Sequence, residues 1–279
     1  MTVDLFHKTS SDCSKVVTLN YSTSFSSAIK LLHADLRRPV FNIYGFVRLA
    51  DEIVDTFHGQ DKPLLLQDFK RQTYDAIERG ISLNPILNSF QKTVNQFKIG
   101  MDLIEAFFRS MESDLTEKDY DRQGYEEYIY GSAEVVGLMC LCIFCEGNKA
   151  DYENLKGGAR SLGAAFQKVN FLRDIKADFN DLSRMYFPEC NFHQFTEAQK
   201  LSIEQDIEAD FRAAYQSILQ LPIKARFGVY VAYKYYYSLF RKIRNTAPAH
   251  ILHRRIRIPN YYKAYIVVRA SVKNGLRLI

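Results

Sequence analysis

Apolar residues recur three and four positions apart through long segments of this chain, and in 279 residues only 7 Pro and 13 Gly interrupt them. That interval is the α-helical period, and no pair of alternating segments joined by a hairpin turn competes with it. The clearest runs are LLLQDFKRQTYDAIERG, LNSFQKTVNQFKIGMDLIEAFFRSMESDL and TEAQKLSIEQDIEADFRAAYQSILQL. Gly80 reads as a helix stop, and Thr196 with Gln199 reads as a capping box. There is no fixed-period repeat, low-complexity linker or shift in composition, so a single all-α domain over residues 1–279 is expected. Its irregular joints are expected near Pro39, within NDLSRMYFPECNFHQF, and at NTAPAH.

Charge is distributed unevenly along this helical chain. Of the 37 Lys and Arg, 14 lie between Phe211 and Ile279, where there is no Asp or Glu; the first 210 residues hold the other 23 and all 32 acidic residues. A basic tail can meet nucleic acid, anionic lipid or a substrate diphosphate. Here basic residues alternate with apolar ones, as in ILHRRIRIPNYYKAYIVV, which suits a folded segment and argues against a nucleic-acid arm. Two readings remain for that segment: a peripheral contact with the inner face of a membrane, or a helix whose basic side is solvated.

The N-terminal residues MTVDLFHKTSSDCSK lack the basic-then-apolar order of an export signal, so a cytoplasmic location is expected. The strongly apolar VVGLMCLCIFC is shorter than the roughly 20 residues that cross a bilayer and reads as a buried helix. Three of the five cysteines, Cys140, Cys142 and Cys145, fall in it, while Cys13 and Cys190 are isolated. Zinc would need a second pair, so buried small side chains are expected.

The chemistry concentrates in two acidic stretches. In GFVRLADEIVDTF, Asp51 and Asp55 stand at i and i+4, with Arg48 one turn earlier on the same face. Alone this also fits a solvated helix edge with a salt bridge. In LGAAFQKVNFLRDIKADF, Gln167, Asn170, Asp174 and Asp178 form a polar stripe at intervals of three, four and four, flanked by Leu162, Phe166, Val169 and Leu172. A polar stripe on such a helix needs partners or a ligand, because burying unpaired carboxylates is costly. Mg²⁺ takes oxygen donors and keeps water and phosphate in its shell, so two such clusters could hold it against a diphosphate, with Arg48 and Arg173 adding charge. No Glu-x-x-His supports a di-iron bundle, and neither Gly-x-Ser-x-Gly nor Gly-x-Gly-x-x-Gly is present.

YGFVRLADEIVD together with LGAAFQKVNFLRDIKADFNDLSRMYFP resembles the two aspartate-rich signatures of the squalene and phytoene synthases. YSTSF at 21–25 is similar to that family's N-terminal flap, YGSAEVVGLM to its central Tyr-Gly segment, and HRRIRIPNYYKA to its basic C-terminal region. The resemblance implies an all-α isoprenoid synthase (class I terpenoid synthase) bundle around a central cavity. It further implies head-to-head joining of two allylic prenyl diphosphates. The expected product is phytoene from geranylgeranyl diphosphate, formed with Mg²⁺ (or Mn²⁺) and without NADPH. Squalene or dehydrosqualene synthesis from farnesyl diphosphate is the alternative, and a non-catalytic, membrane-associated assembly factor of the same fold is a third.

By the same resemblance, Asp51, Asp55, Asn170, Asp174 and Asp178 are metal ligands, with Gln167 beside the reacting diphosphate. Arg48 contacts phosphate, and Tyr130 serves the leaving group or proton transfer. Ser22 and Phe25 belong to the flap, and Arg184, Tyr186, Tyr236 and Arg255 complete the diphosphate surroundings. Tyr236 is one of three adjacent tyrosines, and the sequence does not say which faces the cavity. The chain departs from the family pattern at Glu52, where a third aspartate is common, at Glu134 in place of glycine, and at Lys168 in place of an apolar residue.

Overall fold

The computed structural model describes residues 2–117, 119–180, 186–188, 195–253 and 255–276, with the side chains of 176–180 and 253 outside that description. Among the described residues there are thirteen α-helices and no β-strand. They are α1 (Val3–Tyr21), α2 (Thr23–Ile29), α3 (Ala34–Asp55), α4 (Lys62–Arg79), α5 (Pro85–Phe97), α6 (Met101–Thr116), α7 (Arg122–Ile129), α8 (Val135–Phe144), α9 (Lys149–Asn180), α10 (Glu197–Ile218), α11 (Ile223–Arg244), α12 (Pro248–His253) and α13 (Asn260–Gly275), with a π-helical turn, Tyr130–Glu134, joining α7 to α8.

Local chemistry sets several of these boundaries. Gly80 ends α4 in the left-handed region at φ 69°, a conformation that costs glycine nothing. The Thr196 hydroxyl accepts from the Gln199 N–H while the Gln199 side chain accepts from the Thr196 N–H, completing the capping box that starts α10. The chain also turns at NTAPAH, between α11 and α12. Most of the joint expected within NDLSRMYFPECNFHQF, including Cys190, lies outside the described residues.

Two expectations need correction. Pro39 is no joint: it sits within α3, and the carbonyl its missing N–H leaves free belongs to the exposed residue Asp35. The long periodic run 87–115 is two helices, because Lys98 adopts φ 51° and Gly100 caps the start of α6.

Residues 122–144 are together long and apolar enough to cross a membrane by length and composition, although α8 alone is short. Half of that segment is buried in the bundle, where it packs against α3, α6 and α9. The cysteines there are packing side chains: Cys140 and Cys142 rest against one apolar core and Cys145 lies in the other. Burial pushes the Cys140 thiol up to about 12 and those of Cys142 and Cys145 up to about 11.

The first of these cores is built on Phe46, stacked on Phe90 at 3.7 Å between ring centroids and surrounded by Phe69, Phe107 and Phe108. The second joins α9, α10, α11 and α13 around Phe211, Tyr230, Tyr233 and Phe240. Phe144, Tyr152, Ala159 and Val229 pack on both. The π-turn is wedged between α6 and α9. A Cβ on Gly131 would come within 2.5 Å of the Ala106 carbonyl, and one on Gly163 within 2.5 Å of the Ala133 carbonyl. The missing side chains therefore let three helices close around Tyr130.

Candidate active site

Four polar side chains of α3, Tyr44, Arg48, Asp51 and Asp55, follow one another at intervals of four, three and four, and so share a face. Burial, reinforced by Asp55 and Asp114 and only partly offset by Arg48, pushes the Asp51 carboxyl up to about 8. Arg48 is already engaged. It is bonded to Glu52, lies 3.9 Å from Asp51, and stacks 4.4 Å above the Tyr21 ring, while its buried Nε has no partner. Glu52 therefore anchors Arg48.

Asp114, at the end of α6, is a buried carboxylate that the sequence did not single out. It accepts from the Tyr128 hydroxyl at 2.8 Å and the Tyr186 hydroxyl at 3.2 Å, and Tyr186 stacks on Phe171 at 4.0 Å. Burial and then the Asp114 charge hold the Tyr128 hydroxyl well above the usual phenol range. Tyr186 thus reaches the α3 carboxylates through Asp114.

On α9, Asp174 has cations of its own. Arg255 Nε lies 2.8 Å from its Oδ1, and Arg173 donates to both carboxylate oxygens. Lys263 of α13 is also close to Arg173, and burial together with that charge lowers its ammonium. One turn back, Asn170 keeps a buried Oδ1 without a hydrogen-bond partner. Gln167 is half-buried on the same helix. The Asp178 side chain and all of Arg184 lie outside the described residues.

An aromatic wedge lies between these two polar faces. Tyr236 stacks on Phe166 at 3.9 Å, and Phe25 approaches Tyr236 at 5.4 Å, Tyr44 at 5.7 Å and Phe166 at 5.9 Å. Burial raises the Tyr236 hydroxyl, and the neighbouring Arg173 and Asn170 side chains offset part of that rise. The Tyr44 hydroxyl is pushed up to about 12 by burial and then by Tyr236, with the nearby Ser22 side chain opposing the rise. Ser22 also caps α2, accepting from the Phe25 N–H at 3.1 Å. Of the three adjacent tyrosines, Tyr236 faces the wedge, whereas Tyr237 turns to Glu208 at 3.1 Å.

Tyr130 is half-buried in the π-turn with the Arg160 guanidinium 5.3 Å from its ring centroid. Its described contacts do not include either aspartate pair. Glu134 pairs with that arginine at 2.6 Å, and the buried Lys168 pairs with Asp206 and Asp210 of α10. Both departures from the family pattern are accommodated by partners.

Among the described residues no three His, Cys, Asp or Glu side chains converge tightly enough for a complete protein-built metal site. The donor set nevertheless suits a hard cation. It consists of carboxylate and amide oxygens, Asn170 Oδ1 is buried without a partner, and Asp51 is crowded by like charge. Mg²⁺ commonly takes only one or two carboxylates and fills its shell with water and substrate phosphate.

The fold is that of a dehydrosqualene synthase solved with a ligand, which superposes with a TM-score of 0.83 at 20% identity, covering 96% of this chain and 98% of that one. The squalene/phytoene synthase family model matches residues 18–262, and the chain belongs to that family. Among curated relatives, a 4,4'-diapophytoene synthase of Staphylococcus haemolyticus is 28% identical over 202 residues, 68% of this chain and 65% of the relative. The chloroplastic phytoene synthase 1 of Solanum lycopersicum is 27% identical over 184 residues, 64% of this chain. The matched parts span about two thirds of the first relative's length and 44% of the second's.

Proposed function

We propose that this protein joins two allylic prenyl diphosphates head to head, taking geranylgeranyl diphosphate and releasing phytoene by way of a cyclopropylcarbinyl diphosphate. The observation that carries the proposal is the pair of polar helix faces separated by an aromatic wedge, Tyr44, Arg48, Asp51 and Asp55 on α3 and Asn170 and Asp174 on α9, with Asn170 Oδ1 unpartnered. Asp51, Asp55, Asn170, Asp174 and Asp178 would hold Mg²⁺, with Mn²⁺ as a substitute. When bound, the ion neutralises diphosphate charge as the C–O bond breaks.

The chain's own groups do the rest. Arg48, Arg173 and Arg255 orient the diphosphate oxygens, and Gln167 and Asn170 fix the reacting end. In the first half-reaction, the C–O bond of one substrate breaks and diphosphate leaves with the electron pair. The double bond of the second substrate captures the allylic cation, and loss of a proton closes the cyclopropane. In the second, the remaining diphosphate departs, the skeleton rearranges to the C1–C1′ bond, and a further proton is lost to give a triene. Phe25, Phe166 and Tyr236 offer π faces to the cations and exclude water. The Tyr130 hydroxyl relays a proton toward the departing diphosphate.

The test is to incubate purified protein and Mg²⁺ with geranylgeranyl or farnesyl diphosphate, with and without NADPH, and to identify the extracted hydrocarbon. A C40 triene formed without NADPH is expected. A C30 product would transfer the assignment to the farnesyl-using branch, and no product from folded protein would overturn the proposal.

A further inference from the structure

Helix α13 carries two apolar faces. Ile266 and Ala270 are buried against the bundle, where the helix packs on α11. On the opposite side Tyr261, Tyr265, Val268, Val272 and Leu276 recur at intervals of four, three, four and four, and all are exposed, Val268 at 63% and Leu276 at 65%. That spacing makes one continuous stripe. A periodic exposed stripe of this kind marks an interaction surface, whereas scattered apolar residues do not.

The charge beside the stripe indicates what covers it. Arg269 borders it, and Arg269 and Lys273 converge on Lys234 of α11, whose ammonium burial and these two cations push below the ordinary lysine range. Among the described residues no carboxylate acts on that lysine, and no acidic residue follows Asp210 in the chain. The ring centroids of Tyr215, Tyr230, Tyr233 and Tyr237 lie 5.2–6.0 Å from the Lys234 nitrogen, so tyrosines wall the cationic group. Uncompensated cations next to a linear apolar stripe match a surface that presents anionic headgroups above hydrocarbon.

We propose that α13 is a membrane-docking helix, its Tyr261–Leu276 stripe entering the headgroup–acyl boundary of an anionic bilayer and Arg269 and Lys273 facing lipid phosphate. This rests on the exposed stripe and the convergent cations, and it is independent of the reaction proposed above. The helix also reaches the flap: from its inner side Lys263 donates to Thr23 of α2 at 2.7 Å. A bilayer on the outer face would therefore lie one helix diameter from the segment that covers the candidate site.

The chain has no tryptophan, so Tyr265→Trp places a single reporter on the stripe. With phosphatidylglycerol vesicles its emission shifts to the blue and is quenched at least about twofold by brominated acyl chains. With phosphatidylcholine vesicles both effects are much weaker. In co-sedimentation, Val268→Asp with Val272→Asp lowers binding to phosphatidylglycerol at least about tenfold, since two buried aliphatic side chains become charged. Arg269→Glu with Lys273→Glu removes the preference for the anionic lipid, and salt near 1 M weakens wild-type binding. Unshifted, unquenched emission from the Tyr265→Trp variant, or equal binding to both lipids, overturns the proposal. So does a stripe variant that turns a solution dimer into a monomer, because the stripe would then belong to a second copy of the chain.

Discussion

The two acidic helices that face the wedge are electrostatic opposites. On α3, Asp51 is pressed by Asp55 and Asp114, while Arg48 is bound to Glu52. On α9, Asp174 lies between Arg173 and Arg255. On α3, burial and like charge therefore hold the Asp51 carboxyl up. The α9 cluster is neutralised in advance and presents arginines to an anion. Under the proposed function, Arg173 and Arg255 beside α9 would meet the diphosphate, and carboxylates from both helices, Asp51 and Asp174 among them, would hold Mg²⁺.

The largest effect that separates the two helices pairs activity with stability. Asp51→Asn and Asp174→Asn should each lower kcat/KM by at least about 10² to 10³. Their melting temperatures in metal-free buffer should move in opposite directions. Asp51→Asn removes a buried carboxyl that burial and like charge force to take up a proton on folding, and should raise Tm by about 2–4 °C, on the order of 1 kcal/mol. Asp174→Asn leaves two arginines facing each other and should lower stability by about 0.5–1 kcal/mol, a modest loss because the Arg255 side chain is 52% exposed. Thermal scans with and without Mg²⁺ check both; shifts of the same sign would remove the asymmetry.

The wedge offers the next test. Tyr236→Ala deletes a ring stacked at 3.9 Å on Phe166 and should cost about 3–5 kcal/mol, read by chemical denaturation. Tyr236→Phe keeps the ring and loses the hydroxyl beside Asn170 and Arg173, so stability should change by less than about 1.5 kcal/mol while kcat falls about tenfold. Tyr237→Phe loses only a bond to Glu208, on the other side of α11, and should leave kcat within about twofold. An equal loss of kcat in both Phe variants would mean that the tyrosine run has been wrongly phased.

Much of this arrangement was legible in the sequence, for reasons that also explain what was not. Helical period, Gly80 and the Thr196 capping box are local signals, and the structure follows them. Asp51 and Asp55 could be grouped because a helix face is a local property as well. Tyr44 had the same signal, seven residues before Asp51 on that face, but tyrosines are common here and its neighbour Ser22 comes from the joint between α1 and α2. Asp114 had no local signal. It reads as an ordinary acidic residue at a helix end, and among its described partners are Tyr128, from a later helix, and Tyr186, 72 residues away. The left-handed Lys98 escaped notice because apolar periodicity continues through the break.

The smallest expected effect is also the most discriminating for α3. Glu52 stands between Asp51 and Asp55 on that helix and is almost wholly buried, yet it faces Arg48. If it serves only to hold that arginine, Glu52→Gln keeps the shape and weakens a charge-assisted bond to an ordinary one. The KM for the prenyl diphosphate should rise about three- to tenfold as the guanidinium loses its fixed position, with kcat falling less. The Mg²⁺ concentration for half-maximal rate should stay within about twofold of wild type, whereas in Asp51→Asn any residual activity should need far more Mg²⁺. A large Mg²⁺ shift in Glu52→Gln would make this carboxylate a ligand and give α3 three metal-binding side chains, leaving Arg48 free to meet the diphosphate unaided.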